Sequence, residues 1–134
     1  MTQATPFLMF QGGAAQPALD LYLATFPDSR VLHVERYAAG DPGPEGTIKV
    51  ARFVVCGQEF MCSDSPVKHD FDFTPSSSIF VEFDSQDVLD RIFDVLAEGG
   101  RVYMPLEDYG FSRRFGWVSD RFGVSWQLSL PLDA

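Results

Sequence analysis

Cysteine is scarce: Cys56 and Cys62 are the only two in 134 residues. Two thiols cannot staple a small secreted domain, so a disulfide framework is excluded and a reducing cytoplasm is the expected compartment. Basic residues are also few. Ten Lys and Arg against 19 Asp and Glu leave a net charge of -9, with no basic run. A surface of that sign cannot replace phosphate counterions, which excludes non-specific nucleic-acid binding. It keeps the chain soluble and favours cationic ligands at long range. Long apolar runs are missing too. No stretch approaches the about 20 residues that cross a bilayer. Met1 to Pro6 has neither the basic nor the apolar region of a signal peptide, so no membrane association is expected.

Phenylalanine, by contrast, is abundant. It supplies 13 of the chain's aromatic residues, against 4 Tyr and 2 Trp, which favours ring-rich sheets or a binding wall lined by rings. The length suits one domain with a real core.

Phe7 to Phe10 is a short apolar run and reads as a buried strand, ended by Gly12-Gly13. A helix follows over about Ala14–Phe26, with Leu19, Tyr22, Leu23 and Phe26 on one face. Pro17 falls in its first turn and Pro27 stops it. Strands are predicted over Val31–Tyr37, Thr47–Val55 and Glu59–Ser63, with Gly57 in the tight turn between the last two. The pattern then restarts. Ser78–Phe83 is a strand, Ser85 caps a helix over Gln86–Ala97, and Gly99-Gly100 closes it. A short strand around Val102, a loop through Glu107 and Asp108, and strands over Arg114–Ser119 and Val124–Leu130 complete the chain.

The two halves share the order strand, helix, strand, strand, strand. Their helix faces superimpose at one offset: Leu19 on Leu89, Tyr22 on Ile92, Leu23 on Phe93, Phe26 on Leu96. The final hairpins align Gly57 with Gly123 and hence Met61 with Gln127. The expected fold is α+β: paired βαβββ modules, about 6–64 and 77–131, in one domain. They form a curved mixed eight-stranded sheet with helices on the outer face and a concave inner one.

Paired βαβββ modules resemble the vicinal oxygen chelate superfamily, and within it the PhnB-like group labelled 3-demethylubiquinone 3-methyltransferase. The matching residues are Phe10-Gln11-Gly12-Gly13-Ala14, Leu21-Tyr22, Phe26-Pro27-Asp28-Ser29 and Phe53 with Gly57-Gln58-Glu59-Phe60. They continue through His69-Asp70-Phe71, Ser78-Ile79-Phe80-Val81, Gly99-Gly100, Tyr109-Gly110, Gly116-Trp117-Val118 and Asp120 to Gln127. The resemblance implies a homodimer, a small-molecule ligand and a divalent metal held by inward strands. Methyl transfer is not expected: no Gly-rich turn of the kind that holds an adenosyl cofactor joins the first strand to its helix.

Helix-based alignment places Phe7 and Ser78, within about one residue, at the first-strand metal positions, and Met61 and Gln127 at the last-strand ones. Phenylalanine cannot ligate, and serine and methionine bind hard divalent ions poorly. Gln127 alone cannot hold a metal, so no cofactor is expected, with a divalent metal as the alternative. Gln127 instead either hydrogen-bonds a ligand or is satisfied within the sheet, by Ser78 for example. His69 either acts as a general base or anion-binding group, or anchors its loop. Phe115, Trp117 and Trp126 are an aromatic wall or sheet core, and Arg113-Arg114 hold an anion or flank a strand. Cys62 is read as core and His33 as structural. The ligand-binding candidates are therefore Ser78, Gln127, His69, Trp117 and Phe115. Two functions stand: a metal-free small-molecule binder, or an enzyme on a small oxygenated substrate, either metal-dependent or using His69 and Gln127.

Overall fold

The computed structural model describes residues 1–133. The chain separates into two compact units, Met1–Asp70 and the remainder from Phe71 onward. The first holds β1 (Phe7–Phe10), α1 (Ala15–Thr25), β2 (Arg30–Arg36), β3 (Ile48–Val55) and β4 (Gln58–Asp64). The second holds β5 (Ser78–Glu82), α2 (Gln86–Ala97), β6 (Arg101–Glu107), β7 (Arg114–Ser119) and β8 (Ser125–Leu130). The paired βαβββ order is the one expected. In hydrogen bonding, the expected continuous sheet is two mixed sheets of four, ordered β1-β4-β3-β2 and β5-β8-β7-β6. The first strand of each unit pairs in parallel with its last, and the other pairs are antiparallel.

α2 follows its sequence signals closely. The Ser85 hydroxyl accepts from Val88 N–H at 3.4 Å, and Leu89, Ile92, Phe93 and Leu96 form the buried stripe. α1 starts differently. Ala14 offers no side-chain cap. The cap comes instead from Asp64, whose carboxylate accepts from Ala15 N–H at 2.9 Å and from Ile48 N–H at 2.8 Å. One buried side chain at the end of β4 thereby fixes the start of the helix and the start of β3. The negative charge also sits where the helix dipole favours it. In the second unit Asp120 accepts from Phe122 N–H (2.8 Å), Val124 N–H (3.2 Å) and the Trp126 indole (2.9 Å), which locks the β7–β8 turn to the core.

β6 is longer than the short strand expected around Val102. It runs through Pro105, with register shifts between Val102 and Met104 and between Met104 and Glu107. An edge strand tolerates the missing N–H of a proline, because only one side of it needs to pair. The β3–β4 hairpin turns on Cys56 and Gly57, both at positive φ (51° and 78°), as a two-residue turn requires. Cys56 is exposed and Cys62 is buried, both as free thiols. Among the described residues no helix is long and apolar enough to cross a membrane.

Two outcomes are expected. Removing Asp64 leaves two buried N–H groups unpaired, so Asp64→Ala lowers stability by about 3 kcal/mol in urea unfolding. Burial, and then the charge of Asp64, push the Cys62 thiol up to about 12 from 9.0. Unfolded chains lose that proton near pH 9 while the native state keeps it, so this contribution to stability is lost as pH rises from about 9 to about 12. The urea midpoint falls over that range in the native sequence, and falls less in Cys62→Ala. A colorimetric thiol titration at pH 8 should count one reactive group in the native protein and two in denaturant.

Candidate functional site

Strand alternation divides the second sheet into two faces. A Cβ added at Gly116 would lie 2.5 Å from a ring carbon of Phe93 on α2 and 2.8 Å from Leu106. Gly116 therefore faces the helix, and only glycine lets β7 approach it so closely. Its neighbours Phe115 and Trp117 face the other way. Register carries that face across the sheet: Trp117 lies opposite Gln127, Phe115 opposite Ser129, and Ser119 opposite Ser125. In turn Gln127 lies opposite Phe80, and Ser125 opposite Ser78. Four of the five expected ligand-binding residues, Ser78, Phe115, Trp117 and Gln127, thus share the face turned away from α2. Trp126 points to the opposite side, is fully buried, and belongs to the core.

The face is ring-rich. Trp117 packs against Tyr103 with centroids 5.0 Å apart, and Phe80 against Phe115 at 6.3 Å. Phe111 meets Phe115 edge-on at 4.9 Å, and Tyr109 meets it edge-on at 6.2 Å. Phe115 is consequently buried by its own neighbours, whereas Phe80 is 55% exposed and Trp117 is half-buried. Phe80, Tyr103, Tyr109 and Phe111 are not among the ligand-binding candidates drawn from the sequence. The alternation of Ser78-Ile79-Phe80 already places Phe80 beside Ser78 on one face, which was the available signal.

The polar groups of this face mostly bond to one another. Ser78 and Ser125 hydroxyls share a hydrogen bond of 2.6 Å, and the Trp117 indole donates to the same Ser125 oxygen at 2.9 Å. Tyr103 and Ser119 hydroxyls pair at 2.9 Å. The bond between Gln127 and Ser78, one of the alternatives left open by the sequence, does not form, because Ser78 sits two residues away along the register and bonds its own partner Ser125. Among the described residues the Gln127 amide makes no hydrogen bond to the protein.

The register also corrects the first-strand positions. Phe7 pairs with Met61, and Phe80, rather than Ser78, pairs with Gln127. Phe7 lies eight residues before α1 begins and Phe80 six before α2, so an offset set by the helices misplaces the strand by two. The physical cause is the longer Gln11 to Ala14 connection, which includes two glycines at positive φ.

His69 belongs to the first unit. Its Nε2 is 3.0 Å from the Ser65 hydroxyl, and its backbone N–H donates to the Gln11 side chain at 2.7 Å. The Gln11 contact anchors the loop after β4 to the β1–α1 connection, and the Ser65 contact closes that loop on itself. Arg114 leaves the ring-rich face entirely, since its guanidinium bonds Asp90 of α2 at 2.6 Å. His33 lies on the exposed edge strand β2, 3.8 Å from Glu35.

The corresponding face of the first sheet has different chemistry. Arg52 lies opposite Met61 as Trp117 lies opposite Gln127, and it pairs with Glu59 at 2.6 Å. Phe7, 52% exposed, stands beside Met61. The divalent metal implied by the resemblance finds poor donors at these positions: two phenylalanines, a thioether and one neutral amide. That donor set does not fit a hard divalent cation. Among the described residues no three His, Cys, Asp or Glu side chains gather as a metal-binding group.

Comparison with known proteins agrees with this architecture. The profile of the family described as 3-demethylubiquinone-9 3-methyltransferase matches residues 2–129. A solved structure of the PhnB protein of Bacillus cereus, carrying the same methyltransferase label, is 45% identical. It covers 96% of this chain and 99% of its own, with a TM-score of 0.92. Protein YjdN of Escherichia coli is 28% identical over 94% of this chain and 93% of its own. The fold alone extends to a mutant of the fosfomycin resistance protein FosX of Listeria monocytogenes, solved with Mn(II) and 1S,2S-dihydroxypropylphosphonic acid. That structure is 12% identical, covers 96% of this chain and 90% of its own, and has a TM-score of 0.65. With the profile spanning nearly the whole sequence, the chain belongs to the family described as 3-demethylubiquinone-9 3-methyltransferase, the PhnB-like group of the vicinal oxygen chelate superfamily.

Proposed function

We propose that the protein binds a small aromatic molecule without a metal, on the ring-rich face of the second sheet. One observation carries the reading. Trp117, Phe80 and the unbonded amide of Gln127 converge on that face, with Phe115 fixed behind them by Phe80 and by two further rings, Tyr109 and Phe111. Exposed rings around a few polar groups are the usual chemistry of a small-molecule site. Ser78 serves indirectly, since its hydroxyl holds the Ser125 oxygen that orients the Trp117 indole. His69 acts in this reading through loop position, and the poor donor set supports binding without metal. The label's methyl transfer is not adopted, because Gly12-Gly13 forms an ordinary strand-to-helix turn.

The same reading takes the protein as a cytoplasmic homodimer. The edge strands β2 and β6 expose Val31, Leu32 and Val102, and exposed apolar edges call for cover. Light scattering after size exclusion should give twice the 15.0 kDa chain mass; a monomer at micromolar concentration removes this part of the proposal.

The binding claim is tested with tryptophan fluorescence. Trp117 reports the face, and buried Trp126 serves as an internal reference. A panel of bicyclic aromatics should produce saturable quenching that EDTA leaves unchanged and whose half-saturation concentration Phe80→Ala raises about tenfold, with the Trp117 reporter kept in place. Near one divalent metal per chain after dialysis, with binding or turnover abolished by EDTA, would instead establish the enzyme reading.

A further inference from the structure

The hydrogen-bonding inventory of the ring-rich face points to the kind of ligand edge it reads. Ser78, Ser125 and the Trp117 indole form one closed group, and Tyr103 with Ser119 forms another. Glu82 and Glu107, which share the face at its β5 and β6 margins, are exposed to water. The Gln127 amide differs from all of these. It is half-buried, stands on a central strand between Phe80 and Trp117, and has no protein partner among the described residues. An amide offers a donor and an acceptor side by side, fixed in one plane. A partner that satisfies both must carry an acceptor and a donor with the same spacing. Covering such a group with an apolar ring alone would leave it unpaired, which costs about as much as a lost hydrogen bond.

We propose that Gln127 is the specificity-determining residue of this face, and that its ligand is a flat ring system with an adjacent N–H and C=O, as in a lactam or cyclic imide. The inference rests on the proposed function and refines it. The rings of Trp117 and Phe80 take the flat surface of the ligand, and the side-chain amide of Gln127 takes its edge. The indole N–H cannot substitute for that amide, because Ser125 already engages it.

The test uses three bicyclic probes of similar size: 2-quinolone, with both groups; N-methyl-2-quinolone, with the acceptor only; and quinoline, with a ring acceptor only. Binding is followed in proton–nitrogen correlation spectra through the Trp117 indole and Gln127 side-chain signals, the latter assigned by its loss in Gln127→Leu. The expected result is that 2-quinolone binds about tenfold more tightly than the other two and alone shifts the Gln127 amide pair. Gln127→Leu should level the three affinities. Gln127→Glu, which accepts but cannot donate when ionised, should keep ring binding and lose the lactam preference. The Trp126 indole signal at its native position confirms that each variant is folded. Equal affinities for all three probes, unchanged in Gln127→Leu, would overturn the edge reading and leave the aromatic face standing. No shift of the Trp117 signal with any probe at millimolar concentration would overturn both.

Discussion

Each unit is closed by one parallel pair, between its first strand and its last. A parallel pair cannot be made by a hairpin, so the chain must cross over between the two strands, here through a helix and two further strands. That constraint puts β1 beside β4 and β5 beside β8. It brings residues more than forty positions apart into register, Ser78 with Ser125 and Phe80 with Gln127 among them. The buried aspartates secure the arrangement from opposite ends. Asp64 ties the last strand of its unit to the start of α1, and Asp120 ties the final turn to Trp126. Both satisfy several donors at once, which is what makes a buried carboxylate tolerable.

On this common frame the two sheets carry different surfaces. The central pair of the first is Arg52 beside Met61, with Glu59 holding the guanidinium. The central pair of the second is Trp117 beside Gln127, with Ser125 holding the indole. In both cases a neighbouring side chain fixes the large residue of β3 or β7 from the last strand. The duplication is therefore one of architecture and of local logic, while the chemistry has separated into an ionic face and an aromatic one.

Much of this was legible in the sequence, because the signals were local. The Ser85 cap, the stripe from Leu89 to Leu96 and the Cys56-Gly57 turn all act within a few residues. What was not legible depended on distant partners. Asp64 caps a helix 49 positions away, which no window along the chain reveals. The choice between Ser78 and Phe80 depended on two extra residues before α1, a difference that helix alignment cannot see. β6 runs past the short strand expected around Val102 because its edge position, set by pairing with β7 alone, tolerates Pro105. Of the five candidate ligand-binding residues, four fell on one face because alternation is a local property, while His69 came from a loop whose anchors lie far back at Gln11.

Gly116 has a consequence for how such a protein changes over generations. Along β7 its even-numbered neighbours, Arg114 and Val118, answer to the helix, while odd-numbered Phe115 and Trp117 answer to the open face. The two demands interleave residue by residue without competing for the same positions. Substitutions at the odd positions can retune what the face accepts while the even positions keep the scaffold intact. A lineage built on such strands can diversify its chemistry and still be recognised by its backbone, and for that reason kinship in shape carries so little news about the molecule each member holds.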